Sequence, residues 1–133
     1  MTSAARTLLA VCAAVGLLSV ALGAFGAHGM KATFAAAADG ADRAAWWQTA
    51  THYAGVHALA IGLAALVSDR IGSPFATAAG WAFAGGVVVF SGTLFAMALG
   101  APRWLGAVTP LGGLSLLAGW ASLGVAAVSQ RSG

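Results

Sequence analysis

Four long runs of uncharged, mostly apolar residues dominate this sequence, and short segments that hold the charged residues separate them. A helix of about 20 apolar residues crosses the hydrocarbon core of a bilayer, and about 18 without charge already make a candidate span. Each run exceeds that length, which predicts four membrane-spanning helices, at about 7–28, 46–67, 74–99 and 104–128. Because short connectors make successive helices antiparallel neighbours, we expect an all-α integral membrane protein, an up-down-up-down bundle forming a single domain over residues 1–133.

The connector after the first span, residues 31–43, is rich in alanine and contains one bulky apolar residue, Phe34. This composition predicts a short helix at the membrane interface, with Phe34 directed inward and Lys31 among the lipid headgroups. The second span then begins with Trp46 and Trp47, and aromatic rings of this kind sit at headgroup level. We therefore expect both tryptophans to anchor the second span at the membrane surface.

Prolines mark the third and fourth spans. Ser73 precedes Pro74, so we expect the serine hydroxyl to cap the free amides of the third helix while the proline takes the first helical position. In the fourth span Thr109 and Pro110 precede two glycines, and a proline inside a helix removes a hydrogen bond and bends the helix. The expected kink either frees carbonyls to line a binding site, as in some transporters, or is relieved by a neighbouring span or the Thr109 hydroxyl.

Small residues recur at helical spacing within the predicted spans, and helices in lipid use such residues to approach one another closely. We expect the stripes to form internal seams of the bundle rather than an oligomer interface. The stripes are Ser19, Gly23 and Ala27; Ala82 and Gly86; Ser115 and Gly119; Gly85 and Gly92; and Gly112 and Gly119.

Composition and charge narrow the possible function classes. The 133 residues are 60% hydrophobic and 7% charged, whereas about a quarter of the residues in a soluble domain carry charge. Four spans with short connectors leave no room for a soluble catalytic domain, so we expect no enzyme. The six basic residues are scattered along the chain, which predicts no nucleic-acid binding. They divide equally between the two sides of the membrane, so they do not decide the orientation of the protein. Cys12 is the single cysteine, so no intrachain disulfide forms.

His57 lies near the middle of the second span, where an ionisable residue is a functional candidate. Tyr53 lies one helical turn earlier on the same face. His57 could serve as a proton relay, as a hydrogen-bond donor to a quinone-like molecule or lipid headgroup, or as a haem ligand. The alternative is a neutral imidazole bonded to Tyr53 or to a serine or threonine across the bundle. No carboxylate in the spans offers a second proton station, and His52 is turned about 140° from His57, so the sequence predicts no metal site.

Several motifs along the chain resemble those of the YgdD/YwdK-type family of small membrane proteins. The resemblance implies a four-helix protein of the bacterial inner membrane, with mitochondrial relatives, and supplies no reaction because the family is a domain of unknown function. The matching polar or conformationally special positions are His28, Tyr53, His57, Ser91, Thr109 and Pro110. The motifs are GAFGAHGMK at 23–31, Tyr53 with HALA at 57–60, FSGTL at 90–94, WLGAVTPLGG at 104–113 and GW at 119–120.

Two functional hypotheses remain. The first, which we favour, is a structural or accessory multi-pass protein of the inner membrane that packs with itself or with a larger membrane complex and needs no cofactor. The second is a protein that binds a lipid, quinone or haem, or passes a small solute, beside the kinked fourth span. Its candidate binding residues are His57, Tyr53, His28 and Thr109, although His28 at the end of the first span also fits a simple interfacial residue or backbone cap. The lipid bilayer is the partner that both hypotheses share.

Overall fold

The computed structural model describes residues 1–129, which form five α-helices and one 3₁₀-helix. Four helical segments are long and apolar enough to cross a membrane, which confirms the predicted all-α membrane fold. Each of them overlaps one predicted span. The α-helices are α1 (Ser3–His28), α2 (Lys31–Ala36), α3 (Gly40–Ile71), α4 (Pro74–Ala98) and α5 (Thr109–Ser129), and the 3₁₀-helix Arg103–Ala107 precedes α5.

The four long helices lie side by side in chain order. α1 packs against α3, α3 against α4, and α4 against α5, while α1 reaches α4 at only a few positions. Neighbours run antiparallel: the main-chain amide of Thr2, just before α1, donates to the Asp69 carboxylate near the end of α3 (2.8 Å). Gly72 makes the turn into α4 with a φ of 64°, a left-handed conformation that glycine adopts without strain. This order leaves a lateral gap between α3 and α5.

The main core lies where α1, α3 and α4 meet. Leu8, Ile61 and Phe83 are the largest side chains without exposed surface, and each comes from a different one of these helices. Alanines of α3 and α4 surround them and let the main chains approach closely, which is how helices gain van der Waals contact in lipid. Most later residues of α1 face outward. α3 and α4 thus form the centre against which α1 and α5 pack.

Glycines bring the main chains of α4 and α5 into contact along what we term the α4–α5 seam. A Cβ added to Gly112 would lie 2.4 Å from the Phe90 main-chain nitrogen and 2.9 Å from the Gly86 carbonyl oxygen. A Cβ added to Gly119 would lie 2.6 Å from the Phe83 ring. For these glycines the predicted internal seam is confirmed.

Two other glycines predicted to lie in the internal seams face outward. No atom of a neighbouring helix lies within 4 Å of a Cβ added to Gly85 or Gly92, in the part of the chain that the structure describes. The seam prediction is therefore wrong for these two, whereas Gly23 lines a space between α1 and α3 that leaves its Cβ position open. Gly85 and Gly86 are consecutive and point about 100° apart on a helix, so only one of them can face α5.

Trp47 is buried within the bundle, although the sequence predicted that both tryptophans anchor the second span in the lipid headgroups. Its side chain is 4% exposed, and its indole N–H donates to the Leu22 carbonyl of α1 (2.7 Å). The ring packs edge-on against Phe95 of α4, 4.8 Å between centroids, and touches Phe34, which is buried as predicted. The prediction is wrong for Trp47 because adjacent helical residues point about 100° apart, so Trp46 and Trp47 lie on different faces of α3. α1 and α2 cover the face that carries Trp47.

A cluster of charges on one membrane face joins the start of α3 to the segment before α5. Arg43 donates to Asp39 (2.6 Å), and Arg103 donates to Asp39 (3.3 Å) and Asp42 (3.1 Å). The Arg103 guanidinium also lies 5.1 Å from the centroid of the Trp46 ring, a cation–π contact. The hydrogen bond from Arg43 lowers the pKa of Asp39 below its ordinary value, against the opposing effect of desolvation. We term these four charged residues the interfacial ion cluster.

The start of α4 agrees only partly with its prediction. Pro74 occupies the first helical position as expected, but the Ser73 hydroxyl makes no capping hydrogen bond. Within residues 1–129 this buried hydroxyl has no hydrogen-bond partner at all. The Ser73 main-chain carbonyl instead accepts from the Thr77 amide (3.2 Å). The predicted side-chain cap is therefore wrong.

The fourth span is broken at its start and not in its middle. α5 begins at Thr109, which places Pro110 in the first turn, and the residues before it wind as the 3₁₀-helix. A proline in the first turn forfeits no hydrogen bond, so the chain begins an α-helix here instead of bending one. The Thr109 hydroxyl lies 3.2 Å from the Leu105 carbonyl and 2.7 Å from the Thr93 hydroxyl of α4. The fourth span thus changes from a 3₁₀-helix to an α-helix next to the predicted position of the kink, and Pro110 does not interrupt an α-helix.

Candidate functional site: a lateral groove between α3 and α5

A groove of about 520 Å³ occupies the lateral gap between α3 and α5, with α4 as its floor. We term it the α3–α5 groove. Its lining is mostly apolar, and hydrogen-bonding side chains come from one tyrosine, one histidine and one tryptophan. The lining residues are Tyr53 and His57 of α3, Phe90 of α4, and Pro110, Gly113, Leu114, Leu116, Leu117 and Trp120 of α5.

His57 is buried at the inner edge of the groove, with both ring nitrogens in hydrogen bonds. Its Nδ1–H donates to the Tyr53 carbonyl one turn earlier (2.8 Å), and its Nε2 accepts from the Trp120 indole N–H of α5 (3.1 Å). A carbonyl can only accept and an indole N–H can only donate, so the two bonds fix a neutral imidazole protonated on Nδ1. His57 thus joins α3 to α5 and, in this arrangement, has no free lone pair for a haem iron.

Aromatic rings surround this hydrogen bond. The Tyr53 ring stacks against His57, with 5.9 Å between centroids and 13° between planes, and it contacts Phe90 at 4.5 Å. Trp120 packs edge-on against Phe83 at 5.0 Å, so His57 and Trp120 close one end of the groove. Tyr53 is 39% exposed, and within residues 1–129 no group forms a hydrogen bond with its hydroxyl. That hydroxyl is free to bond a molecule in the groove.

The groove has the length of about one lipid leaflet. Its wall on α5 extends from Pro110 to Trp120, which corresponds to about 15 Å at the helical rise of 1.5 Å per residue. Half of a hydrocarbon core about 30 Å thick is the same distance. Leu114 and Leu117 on the outer rim are 61% and 66% exposed, so the groove opens sideways to the surrounding lipid. Its dimensions suit one hydrocarbon chain that lies along α5.

The structure brings together two of the four candidate residues. Tyr53 and His57 both line the groove, whereas Thr109 is buried against Thr93 of α4, one residue before the lining begins. His28 lies at the exposed end of α1, outside the groove. Sequence reasoning missed Trp120, although a tryptophan within a span, away from the headgroup level that this residue prefers, was a usable signal.

The groove lining suits recognition of an apolar molecule that carries one or two hydrogen-bonding groups. The three carboxylates of the chain, Asp39, Asp42 and Asp69, all lie outside it. His57 is neutral, and Trp120 contributes only a donor that His57 already uses. The Tyr53 hydroxyl is therefore the main unengaged polar group of the site.

Comparisons with known proteins give a consistent result. The family model described as "Protein of unknown function (DUF423)" matches residues 22–113. The chain is 43% identical over 132 residues to "UPF0382 inner membrane protein YgdD" of Escherichia coli strain K12, covering 98% of this chain and 95% of that protein. It is 39% identical over 114 residues to "UPF0382 membrane protein YwdK" of Bacillus subtilis strain 168, covering 84% of this chain and 88% of that protein.

A further relative is "UPF0382 membrane protein SH2409" of Staphylococcus haemolyticus, 39% identical over 108 residues, which cover 80% of this chain and 83% of that protein. No solved structure matches the chain. The relatives are named as membrane proteins, and the one from E. coli as an inner membrane protein, which agrees with the four helices able to span a bilayer. The predicted multi-pass location in the bacterial membrane is thus confirmed, and the chain belongs to the UPF0382 (DUF423) family of membrane proteins of unknown function.

Proposed function

We propose that this protein binds a lipid-soluble molecule in the α3–α5 groove, with a hydrocarbon chain along α5 and a hydrogen-bonding head at the Tyr53 hydroxyl. The groove itself supports the proposal: it is one leaflet long, mostly apolar and open to the bilayer, and it contains a hydroxyl without an intramolecular partner. In lipid such a hydroxyl gains from any partner it can find, because no water is present to bond it.

The chemistry of the site favours a lipid or quinone over haem. A haem iron would need a ring nitrogen of His57, and both nitrogens are engaged, one of them with Trp120 on another helix. A quinone carbonyl, an ester or a lipid hydroxyl needs only the Tyr53 O–H. We therefore expect purified protein to carry a prenyl or acyl compound and to show no Soret band.

Mass spectrometry of the lipid extract from gently solubilised protein tests the proposal. The wild type should retain about one equivalent of a specific lipid-soluble compound. Gly113→Leu should lose it, because Gly113 lines the groove and the nearest atoms to an added Cβ belong to the Phe90 ring at 3.8 Å, so the longer side chain extends into the site. Gly124→Leu is the matched control on the same helix, with open space around the added side chain.

A second variant isolates the hydrogen bond. Tyr53→Phe keeps the ring that stacks on His57 and removes only the hydroxyl. Loss of one hydrogen bond of about 0.5–1.5 kcal/mol should weaken retention of the compound about two- to tenfold. If the wild type, Gly113→Leu and Gly124→Leu carry the same lipids in the same amounts, the groove is not a binding site.

The second candidate function is the accessory protein that packs with itself or with a larger complex. Open space beside Gly85 and Gly92, one heptad apart on α4 and flanking exposed Val88, favours it, because such a surface lets another helix approach closely. Cross-linking of Gly85→Cys in native membranes, on a Cys12→Ala background, should then give a dimer or an adduct of defined mass. An equal yield from a cysteine at exposed Leu17 of α1 would show random collision instead.

A further inference from the structure

A second hollow, of about 440 Å³, lies at one membrane face where the end of α1, α2 and the start of α3 meet. We term it the α2 hollow. Small residues make the space, since most of its lining consists of glycine and alanine. The remaining lining side chains are Lys31, Phe34 and Gln48. The hollow shares no residue with the α3–α5 groove.

Lys31 is the one charged side chain in the lining of the α2 hollow. Its charge is uncompensated within the described residues, because each of the three carboxylates of the chain is paired with another group. Asp39 and Asp42 bind arginines in the interfacial ion cluster, and Asp69 lies beside the terminal amine on the opposite face. The hollow therefore presents a single positive charge and no negative one.

Gln48 adds hydrogen-bonding capacity to the same hollow. Its side chain is exposed on the third turn of α3, and its main-chain carbonyl, but not its amide group, bonds Thr51. A carboxamide offers two donors and an acceptor, and leaving it without a partner at the edge of the bilayer is costly. The lysine ammonium and the amide together suit the oxygens of a phosphodiester.

A narrower crevice of about 90 Å³ lies beside the hollow, between α1 and α3. Its own lining adds Gly23, Trp47 and Thr51, of which Gly23 and Thr51 lie further along the two spans than the residues at the hollow. The two spaces are adjacent, because they have five lining residues in common. The shared residues are Gly26, Ala27, Phe34, Ala44 and Gln48.

We propose that the α2 hollow is a binding site for an anionic phospholipid, with the phosphate at Lys31 and Gln48 and the start of an acyl chain in the crevice. Charge complementarity favours an anionic headgroup, and the adjacent apolar crevice favours a lipid over a free anion. The proposal concerns residues outside the groove, and it stands whether or not the groove binds a ligand.

Native mass spectrometry of the detergent-solubilised protein with added phosphatidylglycerol tests this site, with phosphatidylcholine as the zwitterionic comparison. The wild type should bind one phosphatidylglycerol in preference to phosphatidylcholine. Lys31→Gln should weaken that binding about fivefold, the effect of one basic residue at an anionic surface. Arg70→Gln, which removes an exposed cation at the opposite face, should leave the binding unchanged.

A variant that keeps the charge but fills the space completes the design. Ala27 lines both the hollow and the crevice, so Ala27→Leu should reduce phosphatidylglycerol binding although Lys31 is intact. Helix content by circular dichroism should match that of the wild type in every variant. Equal losses in Lys31→Gln and Arg70→Gln would overturn the site in favour of general charge attraction. Displacement of the lipid by inorganic phosphate at matched concentration would overturn the lipid assignment.

Discussion

Gly112 and Gly113 are consecutive on α5, yet an added methyl group meets opposite surroundings at the two positions. At Gly112 the new Cβ would lie 2.4 Å from the Phe90 main-chain nitrogen and 2.9 Å from the Gly86 carbonyl oxygen, whereas at Gly113 it would meet the Phe90 ring at 3.8 Å. Main-chain atoms cannot rotate away. Gly112→Ala must therefore separate α4 from α5, while Gly113→Ala fits without change.

The cost of Gly112→Ala can be estimated from these distances. An ordinary Cβ contact begins at 3.4 Å, so the α4–α5 seam must open by about 1 Å, and a gap of that size forfeits up to about half of the dispersion energy of the contacts it separates. Overpacking of this kind costs about 1–3 kcal/mol. Both variants gain about 0.8–1 kcal/mol of helix propensity over glycine, which cancels in the comparison. We expect Gly112→Ala to be less stable than Gly113→Ala by about 1–3 kcal/mol.

Titration of micelle-embedded protein with sodium dodecyl sulfate, followed by tryptophan fluorescence, measures this difference in the free energy of unfolding. Gly113→Ala should unfold at a detergent fraction somewhat above that of the wild type, and Gly112→Ala at a clearly lower fraction than Gly113→Ala. If the two alanine variants unfold together, α4 and α5 do not pack with their main chains in contact, and the α4–α5 seam described above is incorrect.

Three further predictions use the same unfolding assay. Trp120→Phe should lower the free energy of unfolding by about 1–3 kcal/mol, because it leaves the buried Nε2 of His57 without a donor. Adding His57→Phe should recover part of that loss. If the two losses are additive, the hydrogen bond between His57 and Trp120 is contradicted. Ser73→Ala should leave the free energy of unfolding unchanged, whereas removal of a hydroxyl that caps the helix would lower it by about 0.5–2 kcal/mol. The pKa of Asp39 is lowered in the folded state, so its contribution to stability should be complete above its unfolded pKa of about 3.9 and disappear as the pH falls through the lower folded value. Asp39→Asn should reduce the loss of stability at acid pH. If the dependence of stability on pH is the same in this variant as in the wild type, the ion pair is contradicted.

The membrane fold could be predicted from the sequence because it depends on run length, and the charged residues mark the ends of the runs. The directions of individual side chains could not be predicted from the sequence. Trp46 and Trp47 look alike in sequence, and only the positions of α1 and α2 decide which ring is covered. In the same way Gly85 and Gly86 both belong to small-residue stripes, and the position of α5 decides which of them lies in the seam.

The candidate site could be predicted only as far as residues on one helix. Tyr53 and His57 share a face of α3 by spacing alone, so their proximity followed from the sequence. Trp120 lies 63 residues beyond His57, and no local pattern relates them. Thr109 and Pro110 were expected inside a span, but a proline can satisfy its constraints equally at a helix start, and the preceding 3₁₀-helix decides between the two.

The packing of the long helices in chain order has a consequence for how the protein is made. Each helix can dock on its predecessor as soon as it is released into the bilayer, because most contacts join consecutive spans and close early. The bond between His57 and Trp120 joins two spans that are not consecutive, so it waits for the last helix to be synthesised. Until then the imidazole Nε2 faces lipid without a partner, at a cost of several kcal/mol. A nascent chain that stops before α5 therefore carries a polar group without a hydrogen-bond partner, a defect that the finished chain lacks.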